Sequence, residues 1–221
     1  MSNQDSFINE VSEEVRRDRL YALYKKYGWM AISVVVLIVA GAAANEWRKA
    51  GQEAAAQAAG DALLSAFEET DTVTRAASLA TIDTGDNAAR AALTSLAEAA
   101  AHAEAGDIAR SVTILETVSI DPTAPRVYQE LAALKAVMLG ADTTDPDARI
   151  SRMNGLVQSG SSFALLALEQ IALAEIQAGR TDDAIATLRE IVADAQVTQD
   201  LRQRATQLMV SLGAPQSELA Q

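Results

Sequence analysis

Between Lys26 and Glu46 the chain carries no charged residue for 19 positions. A helix rises ~1.5 Å per residue and a bilayer core is ~30 Å thick, so ~17–25 apolar residues cross it. The core of this run, Gly28–Ala44, reads GWMAISVVVLIVAGAAA and is sufficient for one crossing. Aromatic rings favour the headgroup zone, and Tyr24, Tyr27 and Trp29 stand at one edge with Trp47 at the other. The sequence therefore predicts three segments: an arm over residues 1–27, a transmembrane helix over 28–45, and a domain over 46–221.

A cleaved signal peptide is the rival reading, because AGAAA at 40–44 offers small-x-small sites. Three features favour an anchor. The region before the run is 27 residues long; it includes Glu10, Glu13, Glu14 and Asp18; and Trp47, Arg48 and Lys49 follow as interface and stop. Arg16, Arg17, Arg19, Lys25 and Lys26 precede the span, against Arg48 and Lys49 after it. The positive-inside rule then puts the N-terminus in the cytoplasm and, in a Gram-negative cell, the main domain in the periplasm.

The net charge of −12 falls entirely beyond residue 28: residues 1–28 hold five basic and five acidic side chains, and residues 29–221 hold 13 and 25. An acidic domain argues against nucleic acid or anionic headgroups as its partner. The chain has no cysteine, which removes disulfides, thiolate metal sites and a cysteine nucleophile. Abundant alanine, four prolines and 4% aromatics favour closely spaced helices.

In the arm, Phe7, Ile8, Val11 and Val15, then Leu20, Leu23, Tyr24 and Tyr27, recur at helical spacing. Two readings stand beside each other: a helix docking on a membrane partner or interface, and a plain helical stem. After the span a helix over Asn45–Glu69 is expected, with a break near Gly51 and a buried stripe of Ala55, Ala59, Ala62, Leu63, Ala66 and Phe67. Residues 71–82 form a short helix with Val73, Ala76, Ala77 and Leu79 inward. Asp86 is placed to cap the next helix, and Gln216–Gln221 reads as a frayed tail.

From there the chain repeats. AGDIARSV at 105–112 and AGRTDDAI at 178–185 each follow an Ala-rich helix. Gly106 and Gly179 are 73 residues apart, about twice the period of a helix-turn-helix repeat. A middle unit is expected between them, with helix Arg126–Leu139, Gly140, and a helix opening at Asp145-Pro146. Thr198–Leu212 reads as a capping helix with Leu201, Ala205, Leu208, Met209 and Leu212 on one side. Each helix pair must bury its apolar face on its neighbours. The expected fold is all-α: one transmembrane helix, then an α-solenoid of about three helix pairs plus capping helices.

These units resemble tetratricopeptide repeats. The small, glycine, small and large signature positions are Ala99, Gly106, Ser111 and Leu115 in one unit and Ala172, Gly179, Ala184 and Leu188 in the last. The Trp often found at position 4 is Ser95 or Leu168, so the pattern is degenerate. The resemblance implies a concave groove lined by Val127, Glu130, Leu134, Val137 and Met138, and by Leu166, Glu169, Leu173, Ile176 and Gln177. Such a lining suits an apolar or basic helical segment of a partner. The alternative is that these side chains pack on one another and leave no groove.

The arm FINEVSEEVRRDRLYALYKKYGW, one span and an Ala-rich repeat domain together resemble the YfgM-like proteins, over nearly the full chain. That resemblance implies a subunit of the bacterial inner membrane, ancillary to the Sec translocon, with a periplasmic domain linked to chaperones and their clients. A scaffold or assembly factor for another cell-envelope complex is the second reading. Self-association through spare apolar helix faces stays open.

No phosphate loop, GxSxG elbow or HExxH pair occurs. The single histidine, His102, has Glu98 one turn back. Asp142, Asp145 and Asp147 alternate but lack the glycine and downstream glutamate of a calcium loop, and Asp145 is better placed to cap the helix beginning at Pro146. No enzyme activity, metal or cofactor is expected.

Overall fold

The computed structural model describes the backbone of residues 3–214 and the side chains of Tyr21, residues 25–30 and residues 32–214. Among the described residues the chain is all-helical: α1 (Asn3–Glu68), α2 (Thr72–Ala80), α3 (Ala88–Glu104), α4 (Ile108–Ile120), α5 (Arg126–Leu139), α6 (Pro146–Gln158), α7 (Ala164–Gln177), α8 (Thr181–Ala193) and α9 (Gln199–Ser211). The expected side-chain stripe of the arm, apart from Tyr27, and the tail Gln216–Gln221 lie outside the described residues.

The chain divides into two units, residues 1–56 and 57–221. In the first, α1 is long and apolar enough to cross a membrane. The side chains from Val34 to Val39 are all exposed. Ser33 donates its hydroxyl to the Trp29 carbonyl at 2.9 Å, which satisfies the polar group inside the apolar run. The expected break at Gly51 does not occur. A lone glycine costs a helix only about 1 kcal/mol relative to alanine, and neighbouring Ala, Glu, Lys and Arg offset it.

In the second unit side-chain caps start most helices. Asp71 accepts from Thr74 N–H at 2.7 Å, Asn87 from Arg90 N–H at 2.9 Å and Asp107 from Arg110 N–H at 3.1 Å. Asp145 accepts from the N–H groups of Asp147 and Ala148, ahead of Pro146 in the first turn. Each cap contributes about 1 kcal/mol. At α3 the cap is Asn87, not Asp86, because the helix starts one residue later than the turn composition suggests. Gly106 and Gly179 end α3 and α7 at φ of 84° and 75°. There Asp107 N–H reaches the His102 carbonyl and Arg180 N–H the Glu175 carbonyl, the bonds of a left-handed helix stop.

Consecutive helices pack on one another from α2 to α9; α3 also meets α5, and α5 meets α7. Three clusters form the interior. Ala66, Ala76, Leu79 and Ala101 make the first; Ala92, Leu96, Ala99, Ile114, Leu115, Val118, Ala124, Ala132 and Ala136 the second. The third and largest includes Leu134, Val137, Met153, Ile171, Leu188, Ile191 and Met209. The α5 helix therefore feeds two cores, Ala132 and Ala136 on one side and Leu134 and Val137 on the other. The signature residues Ala99, Ser111, Leu115, Ala172, Ala184 and Leu188 are all buried. Ser111 donates to the Ala99 carbonyl at 2.7 Å, so its buried hydroxyl is satisfied.

Some stripes are narrower than the spacing implies. In α1 Ala59 and Ala66 are buried, while Ala55, Ala62 and Phe67 are exposed. In α2 Ala76 and Leu79 are buried, while Val73 and Ala77 are exposed. Each of these helices has an apolar cluster on one side only, so one residue per turn suffices to fill the contact. The capping helix matches its reading: Leu201, Ala205 and Met209 are buried and Leu208 and Leu212 pack beside them.

The 73-residue spacing extends to whole elements. From α4 to α8 the first residue moves from Ile108 to Thr181 and the last from Ile120 to Ala193, both by 73 positions. The α5 start, Arg126, and the α9 start, Gln199, differ by 73, as do the α3 and α7 ends, Glu104 and Gln177. Asp121 and Asp194 cap α4 and α8 in the same extended conformation, and each carboxylate accepts from the N–H two residues on.

Candidate interaction surface

The eight uncharged positions among the ten expected to line a groove differ widely in exposure. Leu134 and Val137 are 2% and 3% exposed and belong to the largest core, so they cannot meet a partner. Their burial follows from α5 being covered on two sides. Leu173 and Ile176 are half-buried, and Gln177 is exposed. Val127, Met138 and Leu166 are exposed at 49%, 51% and 37%.

Val127 and Leu166 occupy the same register position near the start of α5 and α7. The equivalent position of α3 is Leu93, 46% exposed. Because α3 meets α5 and α5 meets α7, one exposed apolar residue recurs on three helices packed in series. Leu93 is absent from the groove reading of the sequence, which took only the middle and last units. Counting six residues back from Ala99, as Val127 stands from Ala133 and Leu166 from Ala172, finds it.

The two acids expected in the groove are held internally. Glu130 accepts from Arg126 Nε at 2.6 Å and from the Ser161 hydroxyl at 2.7 Å. The Arg126 hydrogen bond holds the Glu130 carboxyl below its ordinary range, with Ser161 assisting against the cost of burial. Glu169, largely buried, takes a two-pronged contact from Arg204 Nε at 2.7 Å and Nη2 at 2.9 Å. The same bond raises Arg204 above its ordinary value. Such forked pairs are the strong form of ion pair. The Arg126–Glu130 partnership is legible as an i, i+4 pair. Arg204–Glu169, 35 residues apart, becomes visible only once α7 and α9 are known to be neighbours of α8.

His102 lies 3.9 Å from a Glu98 oxygen and 3.7 Å from an Asp107 oxygen. Among the described residues no group of three or more His, Cys, Asp or Glu side chains is placed to hold a metal ion. Glu175 is pushed up from its ordinary value by burial, which the Thr187 hydroxyl at 2.9 Å only partly offsets. What the arrangement offers chemically is an apolar, electrically neutralised row on an otherwise acidic domain. No family model, no characterised protein and no solved structure matches this chain.

Proposed function

We propose that the protein is a membrane-anchored interaction protein that binds partner proteins and does not catalyse. In this reading α1 holds it in the bacterial inner membrane with the N-terminus cytoplasmic. Residues 46–221 form a periplasmic, tetratricopeptide-like solenoid beside the Sec translocon and the chaperones that receive exported clients. Two features support a solenoid: the serial contacts of α3, α5 and α7, and the 73-residue recurrence of helix bounds. The link to the translocon rests on the resemblance of the arm, span and repeat layout to the YfgM-like proteins.

The observation that carries the interaction reading is the row Leu93, Val127 and Leu166, exposed at one register position of three helices. Exposed apolar residues scattered singly need no explanation, but a recurrent row marks a contact surface. With Glu130 and Glu169 already matched by Arg126 and Arg204, the row suits an apolar helical segment better than a basic one.

Photo-crosslinking residues placed at Val127 and Leu166, in native membranes, test this. Translocon subunits or exported-protein chaperones are the expected products. Products confined to cell-wall or outer-membrane machinery would replace this reading with that of an envelope scaffold. Absence of any protein adduct at both positions refutes the row as a binding surface. Orientation is checked with Thr117→Cys, since the chain has no other cysteine. A membrane-impermeant maleimide should label it only after the outer membrane is opened.

A further inference from the structure

The repeat carries an arginine clamp in duplicate, and the two copies are not electrically equivalent. Arg75 lies four residues after the cap Asp71, and Arg149 four residues after the cap Asp145. Each reaches the last residue of the following helix. Arg75 Nη1 donates to the Glu104 carboxylate at 2.6 Å, while its Nε and Nη2 both donate to the Glu69 carbonyl. Each nitrogen of that guanidinium donates, and its charge is matched by Glu104.

In the second copy, Gln177 stands where Glu104 stands in the first. Arg149 Nη1 donates to Gln177 Oε1 and to the Ala141 carbonyl. No carboxylate of the described residues pairs with it: Asp147 is taken by Arg180, and Asp145 by its own helix N–H groups. Arg149 is only 3% exposed, and its Nε is buried with no hydrogen-bond partner in the protein. Removing a cation from water costs several kcal/mol unless a counter-charge and hydrogen bonds are supplied. Gln177, which holds the guanidinium, is itself exposed, as are its neighbour Ala178 and Asp142 beside Ala141.

We propose that Arg149, framed by Gln177 and the Ala141 carbonyl, is a binding site for a carboxylate. The ligand's two oxygens take the Nε–Nη2 edge, the edge that in Arg75 grips a carbonyl, and its charge replaces the one Glu104 supplies there. The forked geometry of guanidinium suits a planar carboxylate. The ligand is either a small free acid or the carboxylate of a polypeptide. This proposal is independent of the apolar row and of the translocon reading.

The test uses the full-length chain purified in detergent at pH 7, with its thermal midpoint compared in sodium acetate and sodium chloride at equal ionic strength. A saturable rise of roughly 2–4 °C in acetate is expected. Gln177→Glu rebuilds the first copy's arrangement; its midpoint in chloride should exceed the wild type's, and its acetate response should vanish. An acetyl-dialanine free acid, run against its amide, separates the sources. A rise at far lower concentration than acetate assigns the site to a polypeptide carboxylate, and an equal response assigns it to a small acid. Equal midpoints in both salts for the wild type, or an acetate rise that survives Gln177→Glu, overturns the proposal.

Discussion

The segments α2–α5 and α6–α9 are built to one plan and finished differently. Their inner faces correspond: Ala132 and Ala136 of α5 are buried, and so, 73 residues on, are Ala205 and Met209 of α9. Their outer faces do not. Leu134 and Val137 of α5 enter the core of the next segment, whereas Gln207 and Val210 of α9 face outward. A helix between two segments must be apolar on both sides, and a terminal one needs a face that water tolerates. Of these two positions only one changes residue type, Leu134 to Gln207; Val137 and Val210 are the same residue, buried in α5 and exposed in α9.

The largest expected effect tests that division. Leu134→Asp places an unpartnered carboxylate in the core and should cost roughly 4 kcal/mol or more, enough to unfold the domain. Val210→Asp, at the position matching Val137, should change stability by less than about 0.5 kcal/mol. Urea unfolding followed by circular dichroism measures both. Equal costs would mean that α5 is not a joint. Leu134→Asp is for the same reason no test of partner binding, since its loss of binding would report unfolding.

A smaller effect sharpens the likeness of the inner faces. Ser111 and Ala184 are equivalent and both buried. Ser111→Ala removes the hydrogen bond to the Ala99 carbonyl and should cost about 0.5–1.5 kcal/mol. Ala184→Ser adds a hydroxyl that can reach the matching Ala172 carbonyl, so its cost should be smaller. A severe loss for Ala184→Ser would show that the two helix crossings differ in closeness despite their equal spacing.

Much of this frame is legible in the residues. The bounds of α5, the Asp145-Pro146 start of α6, the glycine stops at 106 and 179 and the inward side of α9 all follow from spacing and local chemistry. What spacing does not carry is how many sides of a helix are covered. Leu134 and Val137 occupy positions that face outward in a repeat with one open side, and here a second core covers them. Nor does it carry pairing across the stack: Arg126–Glu130 can be read as an i, i+4 pair, but the Ser161 hydroxyl on Glu130 and Arg204 on Glu169 cannot. Gly51 shows the converse error, a helix breaker outvoted by its neighbours.

The smallest effect concerns a charge that is inverted between the halves. At one register position α3 has His102, with Asp107 five residues on; α7 has Glu175, with Arg180 five residues on. Burial raises the Glu175 carboxyl above its ordinary value of 4.5, and Thr187 counters this only in part. A carboxyl with a raised folded-state pKa binds protons more tightly in the folded chain than in the unfolded one. Its contribution is therefore fully present below about pH 4.5 and is lost as pH rises through the folded value. At neutral pH the ionised Glu175 is a net burden on the fold. Glu175→Gln keeps an oxygen for the Thr187 hydroxyl and removes the charge. The variant should be the more stable protein at pH 7 and should lose that advantage as the pH falls to 4. Urea midpoints at the two pH values decide it. A variant less stable at pH 7 would mean that Arg180, rather than burial, dominates at this site and that the inverted pair is a real electrostatic counterpart of His102 and Asp107.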